Sequence, residues 1–156
     1  MTCTILESTK VLILCAGEST RWGNYLGVPK QLILINGESL LERMVRLLRA
    51  QGYYDIEVIS HDERLLLSNC GFFKPSRFRW TVESLLSTHS LWKDKTLVLL
   101  GDVFFTEPAI YTIINSGQGI HIYGRPGPSK YTFSQYGEIF AIMRIPIFEK
   151  WMYLNY

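Results

Sequence analysis

No apolar run in this 156-residue chain approaches the ~20 residues that a membrane-spanning helix needs. A leader is not evident either. Lys10 precedes the run VLILCAG, but that run is short and Glu7 falls where a basic region would lie. Cysteine is scarce: Cys3, Cys15 and Cys70 show no metal-ligand spacing and leave one over in any disulfide scheme. They are therefore expected as reduced thiols of a cytoplasmic protein. Charge of one sign is missing too. The 16 Lys and Arg against 14 Asp and Glu give a net charge of +2, so neither nucleic acid nor a membrane surface is expected as a partner. His61, His89 and His121 have no ligand spacing. Repeats, low-complexity stretches and linkers are absent, and residues 1–156 are expected to form a single domain.

What the chain does have is a 47% apolar fraction, enough for one core, arranged as short apolar runs alternating with amphipathic segments. Residues 11–16, 56–60 and 96–100 read as buried strands. The clearest helix follows the Asn36-Gly37 turn signal. Ser39 is its N-cap, Glu42 completes a capping box, and Leu41, Met44, Val45 and Leu48 share one face. Further helices are expected over 62–68, 83–92, 108–115 and 147–153. Strands are expected over 79–82, 119–123 and 138–143, with irregular chain over 69–79 and a loop over 124–135. This alternation predicts an α/β fold with a mostly parallel sheet, and such sheets bind ligands beyond the carboxyl ends of their strands. Two features fall there: the long loop after the first strand, and Asp102 after the strand 96–100.

That loop reads CAGESTRWGNYLGVPKQ, residues 15–31. Its small residues let a ligand approach the backbone, and consecutive N–H groups can cradle phosphate oxygens. Arg21 adds a planar donor fork suited to phosphate, and Lys30, after the rigid Pro29, adds a second point charge. The loop lacks the Gly-Lys-Ser/Thr ending of a Walker motif, and it is too long for the dinucleotide fingerprint. On composition alone it reads equally well as a solvated surface loop. Read the same way, Lys30 is a surface lysine, and Asp102 and Ser84 are capping residues.

LCAGESTR, seven intervening residues and then PKQL resemble the signature of the nucleotidyltransferases that make sugar nucleotides and nucleotide-alcohols. INGESLLERMVRLL is similar to that family's turn and first long helix, and LVLLGDVFF to its later strand ending in Gly-Asp. The three motifs keep the family's order over residues 11–105. Cys15 stands where the family has a small Ala, and Ser19 where it usually has Gly. The resemblance implies a Rossmann-like three-layer sandwich with a mostly parallel central sheet, of the glycosyltransferase-A-like kind and abbreviated at its C-terminus.

The activity it implies is Mg2+-dependent transfer of a nucleotidyl group from a nucleoside triphosphate to a phosphorylated sugar or alcohol, with release of pyrophosphate. By the same resemblance, Ala16 and Gly17 lie against the base and ribose. Glu18, Ser19, Thr20 and Arg21 wrap the phosphates, with Arg21 on the leaving pyrophosphate. Lys30 sits near the α-phosphate, Asp102 holds Mg2+, and Ser84 stands beside the base. Arg125 and Glu138 are the acceptor-binding candidates.

Family members usually continue for several more elements and commonly supply a second acidic metal ligand late in the chain. No recognisable version of that ligand occurs around Glu138 or Glu149. The apolar, aromatic end, with Phe148, Trp151, Tyr153 and Tyr156, suggests cover by another segment or by a second copy in a homo-oligomer. A non-catalytic nucleotide-binding module and a domain serving only as an assembly partner are therefore the alternative readings.

Overall fold

The computed structural model describes residues 9–17, 23, 25–130 and 135–143. Eight strands and three α-helices follow in chain order: β1 (Lys10–Leu14), β2 (Leu34–Ile35), β3 (Glu38–Ser39), α1 (Leu40–Ala50), β4 (Ile56–Ile59), β5 (Gly71–Phe73), α2 (Thr81–Ser87), β6 (Thr96–Leu100), α3 (Glu107–Ile114), β7 (His121–Arg125) and β8 (Glu138–Met143). Six strands form one sheet in the order β5-β4-β1-β6-β8-β7. The pairs β1–β4, β1–β6 and β4–β5 are parallel, and β8 is antiparallel to both of its neighbours. Only β8 in this sheet therefore runs against the rest.

Both faces of the sheet are covered at its centre, which explains why β1 and β6 are apolar after their first residues, Lys10 and Thr96, rather than alternating. Val11, Ile13, Leu97 and Leu99 pack against Leu41, Met44, Val45 and Leu48 of α1 and Ile110 and Ile113 of α3. Leu12, Leu14, Ile59 and Val98 face the other way, onto Leu85 of α2 and Trp92. The result is the α/β fold with a mostly parallel sheet that the alternation of elements predicted, layered as the Rossmann-like three-layer sandwich that the resemblance implied. No helix among the described residues is long and apolar enough to cross a membrane.

Local chemistry sets the boundaries. The two-residue hairpin between β2 and β3 places Asn36 at φ 55° and Gly37 at φ 84°, the left-handed pair that such a tight turn requires. The capping box is formed: Glu42 N–H donates to Ser39 Oγ at 3.2 Å, and Ser39 N–H donates to Glu42 Oε2 at 3.0 Å. Thr106 caps α3 by accepting from Ala109 N–H, with Pro108 in the first turn.

The structure departs from the sequence expectation in three places. The helix expected over 62–68 is only a 3-10 turn, Glu63–Leu65; Asp62 caps it, and the chain then extends at Leu66 to reach the sheet edge. Residues 71–73, expected as irregular chain, form edge strand β5. Residues 79–82 do not form a strand. The Glu83 carboxylate accepts from Trp80 N–H, so α2 starts two residues earlier than its apolar pattern suggested. It stops at Ser87, and a separate 3-10 turn, His89–Leu91, completes the segment. The expected helix over 147–153, with Phe148, Glu149, Trp151, Tyr153 and Tyr156, lies outside the described residues.

Candidate active site

The strand order reverses at β1. The first crossover leads to β4 on one side, and the chain later returns to β6 on the other. An open parallel sheet has its ligand crevice at such a point, outside the carboxyl ends of the strands. A cleft of about 240 Å³ lies there. Four separate stretches build it. The end of β1 brings Leu14, Cys15, Ala16 and Gly17; the turn after Pro29 brings Lys30 and Gln31; α2 brings Thr81 and Ser84; and the end of β6 brings Leu100 and Asp102.

The β1 end is pinned on both flanks. Cys15 N–H donates to Ile59 O at 2.8 Å, and Gly101 N–H donates to Leu14 O at 3.0 Å. Ser60, buried behind it, donates its hydroxyl to Cys15 O at 3.4 Å. The Cys15 thiol is shut away, and burial, then the negative charge of Asp102, pushes its pKa far up. It packs as a small apolar group rather than a nucleophile. A Cβ built on Gly101 would overlap Cys15 Sγ and press on Leu14 O. Gly101→Ala is therefore expected to cost about 1–3 kcal/mol of stability through overpacking. Replacing Cys15 by Ala in the same chain should restore most of that loss in thermal unfolding. An unrestored loss would show that the clash is not with the thiol.

Pro29 has φ −55° and ψ 147°, and a single 3-10 turn, Lys30–Leu32, follows it. Leu32 N–H donates back to Pro29 O at 2.9 Å. This turn carries Lys30 across the mouth of the cleft, where Nζ lies 3.3 Å from Asp102 Oδ2. The two residues are 72 positions apart in the chain. Their side chains are 24% and 39% exposed, so the pair contributes on the order of 1 kcal/mol or less and exchanges readily for a ligand. Ser84 is 2% exposed, lines the cleft and donates its hydroxyl back to Trp80 O at 3.4 Å.

The structure thus brings together five of the residues expected from sequence: Ala16, Gly17, Lys30, Ser84 and Asp102. Glu18, Ser19, Thr20 and Arg21 lie outside the described residues. Arg125 and Glu138 do not line this cleft. They sit two strands along the same sheet edge, where Arg125 Nη2 meets Glu138 Oε2 at 2.7 Å and Nε meets it at 3.1 Å. Gln31 and Thr81 are cleft residues that the sequence reading did not single out. Gln31 stands beside Lys30 in the PKQL motif, but whether a residue of a 3-10 turn faces in or out has no sequence periodicity to reveal it. Among the described residues no cluster of three metal-ligating side chains occurs, and Asp102 is the carboxylate that those lining the cleft offer to a cation.

The family profile of the MobA-like NTP transferase domain matches residues 11–121. No curated protein matches the sequence. In three dimensions the chain is similar to a Bacillus anthracis protein described as a glucose-1-phosphate thymidylyltransferase, whose crystal structure was solved with a sucrose. That likeness has a TM-score of 0.61 at 16% identity and covers 87% of this chain and 71% of the other.

Proposed function

Because the chain belongs to the MobA-like NTP transferase domain family, we propose that it moves a nucleotidyl group from a nucleoside triphosphate to a phosphorylated sugar or alcohol. The observation that carries this reading is the meeting of Lys30 and Asp102 at the strand-order reversal, beside Ala16 and Gly17. In the reaction an acceptor phosphate oxygen attacks the α-phosphorus. The bond from that phosphorus to the oxygen bridging to the β-phosphate breaks, and pyrophosphate leaves with the electron pair. Such transfer needs little covalent help from the protein and depends on positioning and on neutralising charge.

The apolar strand ends Leu14 and Leu100, with Ala16, Gly17 and Ser84, offer a surface for base and ribose. Lys30 releases Asp102 and turns its ammonium to the α-phosphoryl oxygens, where charge builds in the transition state. Asp102 then faces the triphosphate as a free carboxylate. It fits Mg2+, a hard ion held by one or two carboxylates with phosphate and water in the remaining positions. Bound there, the ion would offset the triphosphate charge. Arg21 is assigned to the leaving pyrophosphate, with Glu18 to Thr20 around the phosphates. The acceptor is placed along the edge carrying Arg125 and Glu138.

Pyrophosphate release measured with the four nucleoside triphosphates, each against sugar 1-phosphates and alcohol phosphates with Mg2+, tests the reading. Release with at least one pair is expected. A triphosphate at 100 times its Kd should also stabilise the fold by about 2.7 kcal/mol. Stabilisation without release from any pair would leave a nucleotide-binding module and overturn the transfer reaction.

A further inference from the structure

We infer that Gln31 reads the nucleobase, through a side-chain amide at the cleft that no described residue pairs. The inference rests on the proposed nucleotide site and names a specificity-determining residue within it. Gln31 is only 6% exposed, yet its amide makes no hydrogen bond to any described residue. A polar side chain so largely buried is ordinarily paired within the protein, and this one meets no described protein group. The amide is not walled in, because Arg49 Nε is the enclosed unpartnered side-chain atom among the described residues. Gln31 lines the cleft, which puts its side chain within reach of the ligand space.

The chemistry of that space selects the base. A carboxamide is neutral and carries two donors beside two acceptor lone pairs, matching the adjacent donor and acceptor groups on a base edge. Phosphate instead calls for the cation next to it, Lys30. Leu14 and Leu100 supply an apolar surface for the ring, and Ser84 adds a second polar contact. No described residue competes for the amide, so a correct base gains bonds that none of the described residues supplies. A wrong base leaves the amide unsatisfied, which is how a polar site rejects analogues.

Binding of the four triphosphates, their 2′-deoxy forms and inorganic tripolyphosphate should be measured calorimetrically for wild type, Gln31→Met and Gln31→Glu. Methionine keeps length and volume, and glutamate keeps shape but replaces the donor with an acceptor. Wild type is expected to prefer one or two bases. Gln31→Met should weaken the preferred triphosphate by about 10–100-fold, compress the spread among bases and leave tripolyphosphate within about twofold. Gln31→Glu should reorder the base preference, and it keeps the test open should the methionine variant fail to fold. Three results would overturn the inference while leaving the nucleotide site intact: no base preference in wild type, an unchanged preference order in both variants, or an equal loss for all four triphosphates. An equal loss with the ribose–deoxyribose distinction gone would move Gln31 to the sugar. Wild type binding no triphosphate would overturn the proposed function itself.

Discussion

Asp102→Ala is expected to lower pyrophosphate release by about 1,000-fold or more while shifting Tm by no more than ~4 °C. The two halves of this prediction have different causes. Asp102 is the carboxylate among the described residues lining the cleft, and removing a group that organises charge at a phosphoryl centre costs ~10²–10³-fold, to which loss of the proposed metal ligand would add. Its folded-state interaction is small, because the ion pair with Lys30 is partly exposed and measures 3.3 Å. For a chain of this size one kcal/mol corresponds to about 2–4 °C in Tm. Lys30→Ala is expected to lose less, ~10²-fold, and the loss should fall on turnover more than on triphosphate binding if the ammonium meets charge that appears only in the transition state. Two measurements decide it: turnover across Mg2+ concentrations and thermal unfolding. Undiminished release by Asp102→Ala would remove the carboxylate from the mechanism. A collapse of Tm would show that it serves the fold instead.

The sequence exposed those parts of the molecule in which local and global preferences agree. After Lys10 and Thr96, β1 and β6 are continuous apolar runs because each is buried on both faces, and α1 carries its own start signal in Ser39 and Glu42. Residues 71–73 gave no such signal. Three residues beginning with glycine carry no period, and what makes them a strand is pairing with β4, set by chain far away in sequence. Residues 62–68 failed in the opposite sense. Asp62 and three successive leucines resemble a helix start, yet only Leu65 in that stretch is fully buried, so the segment has no continuous face to bury. The site divides along the same line. Lys30 and Asp102 were legible because each lies in a motif with fixed neighbours. Gln31 was in plain view in PKQL, but its burial depends on the packing of a single 3-10 turn against the cleft, which no spacing encodes. Arg125 and Glu138 were read as separate residues, whereas register places them directly across β7 and β8 from each other.

At the opposite, amino end of the sheet, Lys10→Met is expected to lower stability by about 3 kcal/mol, some 6–12 °C in Tm, with little effect on nucleotide binding. Lys10 opens β1 in the middle of the sheet, and its side chain is only 8% exposed. Its ammonium donates to Asp55 Oδ1 and to Glu57 Oε2, each at 2.9 Å, while Lys93 holds the other Asp55 oxygen at 2.6 Å. Methionine keeps the length of the stem, so the loss reports the charge. Asp55 retains Lys93 in the variant, but Glu57, 17% exposed, is left without its cation. The pH dependence separates this network from a packing defect. Burial works against the charge on Lys10, but its bonds to Asp55 and Glu57 outweigh burial and raise the pKa above 10.5, so its contribution is full below that value and fades as pH rises through the raised one. Burial likewise works against Asp55, but its bonds to Lys10 and Lys93 lower the pKa below 3.8, so its contribution is full above that value and fades as pH falls through the lowered one. The stability gap between wild type and Lys10→Met should therefore be widest across the neutral range and narrow at both extremes. Adding Glu57→Gln to Lys10→Met should return part of the loss, because it removes the stranded charge. A gap that stays constant across pH would assign the effect to packing of the stem rather than to the ion pairs.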